Sequence, residues 1–335
     1  MNLSIKIEGI GTYVPKKVVS NDFFIDHFRR EENGNIEVEG LMKSLGRNER
    51  HFAERGESSL SMGYQASLDV IEKTNTDVKD LDMIVFVSDT PEYNMPTNAL
   101  ILNNKLGADN AHIVFDMNCN CTGMLVALDN VSRFMKTNKS VKKALVVGSL
   151  YASSVVRWND SISYPCFGDA GTALILSSSD EENTGVIDSI YITDSNYVNT
   201  ITLPACGNSN ALLSKQHKYY RRMEWVPFDA SFVPDYWSKM ISNIFTKYAI
   251  TDDDIAYYLF SQFSNSMNMD TLDKLGVTDK SKYVFNGDKY GYTGCSSPIL
   301  ALSEVWDKAK DMTGKYLIFI SVAAGASMSA ILYKL

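Results

Sequence analysis

The chain has 335 residues, 45% of them hydrophobic, which suffices for a large core and argues against disorder. Its net charge of −8 argues against nucleic-acid binding, which needs an extended basic surface. Five scattered cysteines, an odd number, suit reduced thiols in the cytoplasm; Cys119 and Cys121 stand too close for a usual zinc pair and lack a complementing pair, so no metal site is expected.

Length alone would allow two domains. Lys6 and Glu8 break the opening segment, so no signal peptide is expected, and no run approaches the roughly 20 apolar residues of a membrane span. Residues 58–73 carry an amphipathic helical pattern, and apolar strands are read at residues 83–87, 113–115 and 144–148. Residues 177–182, rich in Ser, Asp and Glu, read as a surface connection inside one compact body. Beyond it come a helix at 236–248 and strands at 256–260, 316–320 and 331–333.

The two halves share an order. Residues 83–87 are echoed by 256–260, and 144–148 by 316–320. Gly168-Asp169-Ala170-Gly171 with its strand is echoed by Gly325-Ala326-Ser327-Met328 and the closing strand. Cys121-Thr122-Gly123 after Val114-Phe115 corresponds to Tyr292-Thr293-Gly294 after Val284-Phe285. Strands alternating with amphipathic helices predict α/β layers around a mixed or parallel sheet. The repeated order points to duplication, with a nucleophile-bearing half at 1–180 and a second half at 181–335.

Cys121 is the residue to watch. It follows the strand at 113–115 and precedes Met124, Leu125, Leu128, Val131 and Met135 at helical spacing. A thiol at a helix start faces unpaired backbone N–H groups and the positive end of the helix dipole, which favour thiolate. The same amides can stabilise an oxyanion on a thioester carbonyl. A small buried hydrophobe fits the local pattern equally well.

Five further segments, in order, settle the context: residues 7–15 (IEGIGTYVP), Gly46 to His51, Asp89-Thr90-Pro91 through Met95-Pro96-Thr97, Trp158-Asn159-Asp160, and Phe167 to Gly171. With Cys121 they resemble the thiolase superfamily, most closely the β-ketoacyl-acyl-carrier-protein synthase III family. The resemblance implies a five-layer αβαβα sandwich of two pseudo-twofold halves. It also implies a dimer in which the Met95-Pro96 loop of one protomer nears the acyl tunnel of the other. An aromatic commonly stands at the position of Met95; methionine would leave a more adaptable wall.

The departures are informative. The family's cysteine works with a histidine and an asparagine, and here Ser261 and Tyr292 stand in their places, with Gln262, Gly291 and Thr293 keeping the register. Acyl transfer to Cys121 needs an oxyanion hole, expected from the amide of Cys121 with another near Ala324 and Gly325. Malonyl decarboxylation also needs neutral donors on an enolate. One missing donor of that kind costs about a hundred- to thousandfold in rate. Tyr292 retains a phenolic donor.

None of the four histidines is an obvious substitute. His51 lies in the family-like Arg-His segment, His27 on an expected exposed helix, His112 before the nucleophile strand, and His217 in a loop. That loop is basic: Lys215, Lys218, Arg221 and Arg222 form the densest candidate for docking an acidic acyl carrier protein, or else a solvated charged loop. The family's coenzyme A-binding arginine and tryptophan correspond to Ser161 and Gly40, which favours a carrier-bound thioester over coenzyme A. No cofactor is expected.

Three readings follow. The first is a cytoplasmic acyltransferase of the synthase III type, in specialised lipid or polyketide-type metabolism, passing an acyl group from Cys121 to carbon, oxygen or nitrogen. The second is a non-catalytic partner subunit of a heterodimer in place of a homodimer. The third is a conventional fatty-acid initiating synthase.

Overall fold

The computed structural model describes residues 3–30, 38–213 and 218–335. Its centre is an array of nine strands in two halves of matching order. In the first half, Ser4–Tyr13, Ala170–Ser179, Lys143–Leu150, Met83–Val87 and Ile113–Met117 lie side by side. In the second, Gly185–Thr193, Ser327–Lys334, Tyr316–Ala323 and Ile255–Phe260 repeat that order. The strand array continues from one half to the other through one parallel pairing, Ile5 with Gly185. In each half the outer strands run parallel and the pairings nearer the middle of the array are antiparallel.

Strands that are buried on both faces need no alternation, which is why Met83–Val87 is apolar at every position and wholly buried. Helices Gly123–Thr137 and Ser297–Ala309 join a core cluster that draws on strands of both halves. Helices Ser59–Thr74 and Asn98–Leu106 belong to a cluster on the first half, and Val233–Tyr248 with Asn265–Lys274 to one on the second. The result is helix, sheet, helix pair, sheet, helix: an αβαβα sandwich.

Gly11 shows how tightly the layers meet. A Cβ there would lie 2.1 Å from the Ala66 carbonyl oxygen and 2.5 Å from the Val70 nitrogen, so only hydrogen lets the strand approach the helix backbone.

Two expectations change. Val284-Phe285, matched above to the nucleophile strand, form no strand and are preceded by a single bridge from Tyr283 to Tyr258, so among the described residues the second half has no regular counterpart of that strand. Strand Ala170–Ser179 also absorbs the start of the expected surface connection, leaving the link at residues 180–184.

Candidate active site

Parallel α/β sheets place chemistry at the carboxyl ends of their strands. Here four such ends converge: Met117 leads to Cys121, Val87 to Asp89, Phe260 to Ser261 and Ala323 to Ala324. Cys121 lies in the turn Asn120–Thr122, which opens into helix Gly123–Thr137. Asn120 takes a left-handed φ of 49°, and the Asn118 side chain accepts its N–H. Ser321 Oγ donates to the Cys121 carbonyl at 3.1 Å, tying the turn to the second half.

The Cys121 Sγ faces the amides of Cys121 and Ala324 and the Tyr292 hydroxyl. Gly325 follows in the left-handed conformation at φ 77°. The expectation that the helix start favours thiolate is not met. Burial pushes the Cys121 thiol up to about 12, the Asp89 carboxylate adds to the rise, and the three donors oppose it without reversing it. Desolvation of a charge outweighs a short helical turn.

Ser261 and Tyr292 come together beside the cysteine. Ser261 Oγ donates to the Tyr292 oxygen at 3.2 Å, and Tyr292 donates to Sγ. Tyr292 is anchored by its own N–H to the Cys166 carbonyl and by its carbonyl to the Gly168 N–H. Gln262 staples the adjoining loops: its Nε2 donates to Phe260 and Val284 carbonyls, while its Oε1 accepts from Asn286 and Gly287. Buried Arg47 donates to the Gln262 and Phe263 carbonyls from across the molecule. These contacts give the retained Gln262 and the Gly46–His51 segment a positioning role.

Sequence reasoning missed Asp89 as a site residue. It stands on the wall of a narrow, mostly apolar cavity of about 80 Å³ that opens on Cys121, with Leu150, Phe167, Trp225, Phe263 and Tyr292. Among the described residues it is the one charged side chain on that wall. Its Oδ1 is buried and has no hydrogen-bond partner among the described residues, and burial pushes its carboxyl up to about 6. The signal available in the sequence was a carboxylate two residues past an all-apolar strand.

The remaining candidates lie further out. Met95, joined to Pro96 by a cis peptide, is 87% exposed. Ser161 lines an open groove that shares Trp225 with the cavity, and Gly40 is exposed on helix Val38–Leu45. Lys215, His217 and the side chain of Lys218 lie outside the described residues. Arg221 is exposed, but Arg222 is committed to the Ser154 and Val156 carbonyls and packs over Trp158, so it is a bracing residue more than a docking one. His27 is half-buried against Tyr164 and bonded to the Trp158 carbonyl, not exposed; His51 bonds the Pro15 carbonyl. Among the described residues no group of three or more His, Cys, Asp or Glu is placed to hold a metal.

The family described as 3-Oxoacyl-[acyl-carrier-protein (ACP)] synthase III matches residues 115–195, and its C-terminal counterpart matches residues 245–335. The chain belongs to this family. A relative from Sulfurovum sp. (strain NBC37-1), beta-ketoacyl-[acyl-carrier-protein] synthase III, is 28% identical over 326 residues, covering 96% of this chain and 93% of its own. The Aquifex aeolicus VF5 3-oxoacyl-[acyl-carrier-protein] synthase III structure superposes with a TM-score of 0.86 at 22% identity, over 99% of this chain and 100% of that one. Xanthomonas campestris OleA, solved as a cysteine-to-serine variant with bound lauric acid and lauroyl-CoA, gives 0.84 at 14% identity over the whole of both chains. The family's fold is thus the fold of this chain, a thiolase-like sandwich.

Proposed function

We propose that the chain is an acyltransferase of the synthase III type that loads an acyl group from an acyl thioester onto Cys121 and passes it to an acceptor without efficient malonyl decarboxylation. The observation that carries this reading is the Ser261–Tyr292–Cys121 arrangement. One phenolic donor and one short hydroxyl stand beside Cys121, where the family resemblance would put an imidazole and an amide. Tyr292 and the amides of Cys121 and Ala324 suit an oxyanion on a thioester carbonyl. Ser261, bonded to Tyr292, supplies neither a base nor a second donor to an enolate. The acceptor is then best an oxygen or nitrogen nucleophile, in specialised lipid or polyketide-type metabolism.

The donor in this reading is an acyl carrier protein more than coenzyme A, because Ser161 and Gly40 offer no nucleotide-binding arginine or tryptophan. A homodimer would bring the exposed Met95 to the partner's tunnel. A second reading, a non-catalytic partner subunit, draws support from the strongly raised Cys121 thiol. Intact mass spectrometry after incubation with a panel of acyl-carrier thioesters separates the two. An adduct that vanishes in Cys121→Ala supports the transferase, and its absence across the panel supports the scaffold.

A further inference from the structure

We propose that Asp89 is the general base for the acceptor: its carboxylate, on the wall of the cavity that opens on Cys121, takes the proton of a neutral nitrogen or oxygen nucleophile as that nucleophile attacks the acyl–Cys121 thioester. The inference rests on the acyl-transfer reading and names what that reading leaves open, the group that activates the acceptor.

Two other carboxylates show what a structural aspartate looks like in this chain. Asp116 accepts from the Asn98 N–H at 2.8 Å, from Asn98 Nδ2 at 2.8 Å and from the Ala99 N–H at 2.7 Å, capping helix Asn98–Leu106. Asp169 accepts from the Ala53 N–H at 2.7 Å, from the Ser153 N–H at 2.9 Å and from Ser153 Oγ. Asp89 Oδ1 has no such partner among the described residues, and the residue lines a cavity instead of a helix end. A buried polar atom left unpaired costs about 1–3 kcal/mol, and more when charged, so its retention asks for a use.

Its position supplies one. The Ser88 N–H bonds to the Met117 carbonyl at 3.2 Å, which fixes the Asp89 segment against the strand that leads to Cys121. The titratable groups that act on the same space are Cys121, Tyr292 and Cys295, each within electrostatic reach of Asp89. Cys121 is acylated at this stage, and burial drives Tyr292 and Cys295 further from ionisation. His27 and His51 are bound elsewhere. A carboxyl poised near 6 is mostly ionised at neutral pH yet basic enough to receive a proton.

The step balances. The acceptor heteroatom forms its bond to the thioester carbon while its proton moves to the Asp89 carboxylate. The resulting oxyanion is held by the Cys121 and Ala324 amides. Collapse breaks the carbon–Sγ bond, the electron pair leaves with Sγ, and the proton on Asp89 passes to that strongly basic thiolate. The products are an ester or amide, free thiol and regenerated carboxylate. No oxidant or co-reactant is needed.

The test uses the full chain, acetylated on Cys121 with p-nitrophenyl acetate, an activated ester that needs no carrier recognition. Loss of the acetyl group is followed by intact mass in methoxyamine, a neutral nucleophile that must shed a proton, and in 2-mercaptoethanol, which attacks as a thiolate. Asp89→Asn is expected to slow transfer to methoxyamine about a hundredfold and to leave transfer to 2-mercaptoethanol within about threefold. Formate added to Asp89→Ala should restore part of the methoxyamine rate, which a misfolded variant cannot show. Equal slowing with both nucleophiles, or none with methoxyamine, overturns the role of Asp89 and leaves the transferase reading standing. Failure of Cys121 to acetylate at all overturns both.

Discussion

Ser261 Oγ lies 3.2 Å from the Tyr292 hydroxyl in a fully buried pair, with the tyrosine turned toward Cys121. A serine alone in that place would leave a hole. Tyr292 fills it with a ring packed 5.3 Å from Phe263 and 5.4 Å from Phe167, centroid to centroid. The pair therefore serves packing and hydrogen bonding together.

Tyr292→Phe removes the donor to Sγ and strands Ser261 Oγ. Stability should fall by about 1–2 kcal/mol, read as a lower midpoint in urea unfolding. Acyl loading of Cys121 should slow at least about tenfold, because the thiolate and the oxyanion each lose a donor. Unchanged loading would remove Tyr292 from the chemistry.

Ser261→His with Tyr292→Asn sets an imidazole and an amide beside Cys121 and should raise malonyl decarboxylation above that of the parent chain. The gain is partial in this account. Asparagine vacates the space between Phe167 and Phe263, and the new imidazole has no second partner to hold its tautomer. Carbon dioxide release from malonyl-carrier measures the outcome.

Alkylation of Cys121 by iodoacetamide should be slow at pH 7 and rise steadily with pH beyond 9, since only thiolate reacts and burial pushes the thiol up to about 12. A rate that levels off near pH 7 would show that the helix start governs the sulfur after all.

Much of this molecule is legible in its sequence because buried strands announce themselves. Met83–Val87 is read without error, and the helix at 58–73 is found one residue later, with Ser58 as its capping residue. Ser261 and Tyr292 are found through register, and the fold brings them to the cysteine. What escapes is electrostatic and depends on depth. Helix polarity can be read from sequence, but the desolvation that outweighs it cannot. Nor can sequence tell the solvated face of a loop from the cavity wall that Asp89 occupies. Arg222 reads as a docking charge until its carbonyl partners are seen.

The raised carboxyl of Asp89 also carries a stability signature. Its value in the fold, about 6, lies above the ordinary 3.8, so the folded chain binds this proton more tightly than the unfolded one. Stability from this group therefore declines as pH rises through that window and is lowest above it. The full shift corresponds to about 3 kcal/mol. Asp89→Asn should raise the melting temperature at pH 7.5 and narrow the gap between pH 7.5 and pH 5. A variant less stable than the parent at both pH values would mean that the carboxylate is paired.

The most direct measurement offers the unaltered protein an acyl-carrier thioester and malonyl-carrier together and reads enzyme and carrier masses in one spectrum. An acyl adduct is expected on the enzyme, absent in Cys121→Ala, with malonyl-carrier left essentially intact. Malonyl decarboxylation on the order of one per second or faster would contradict it.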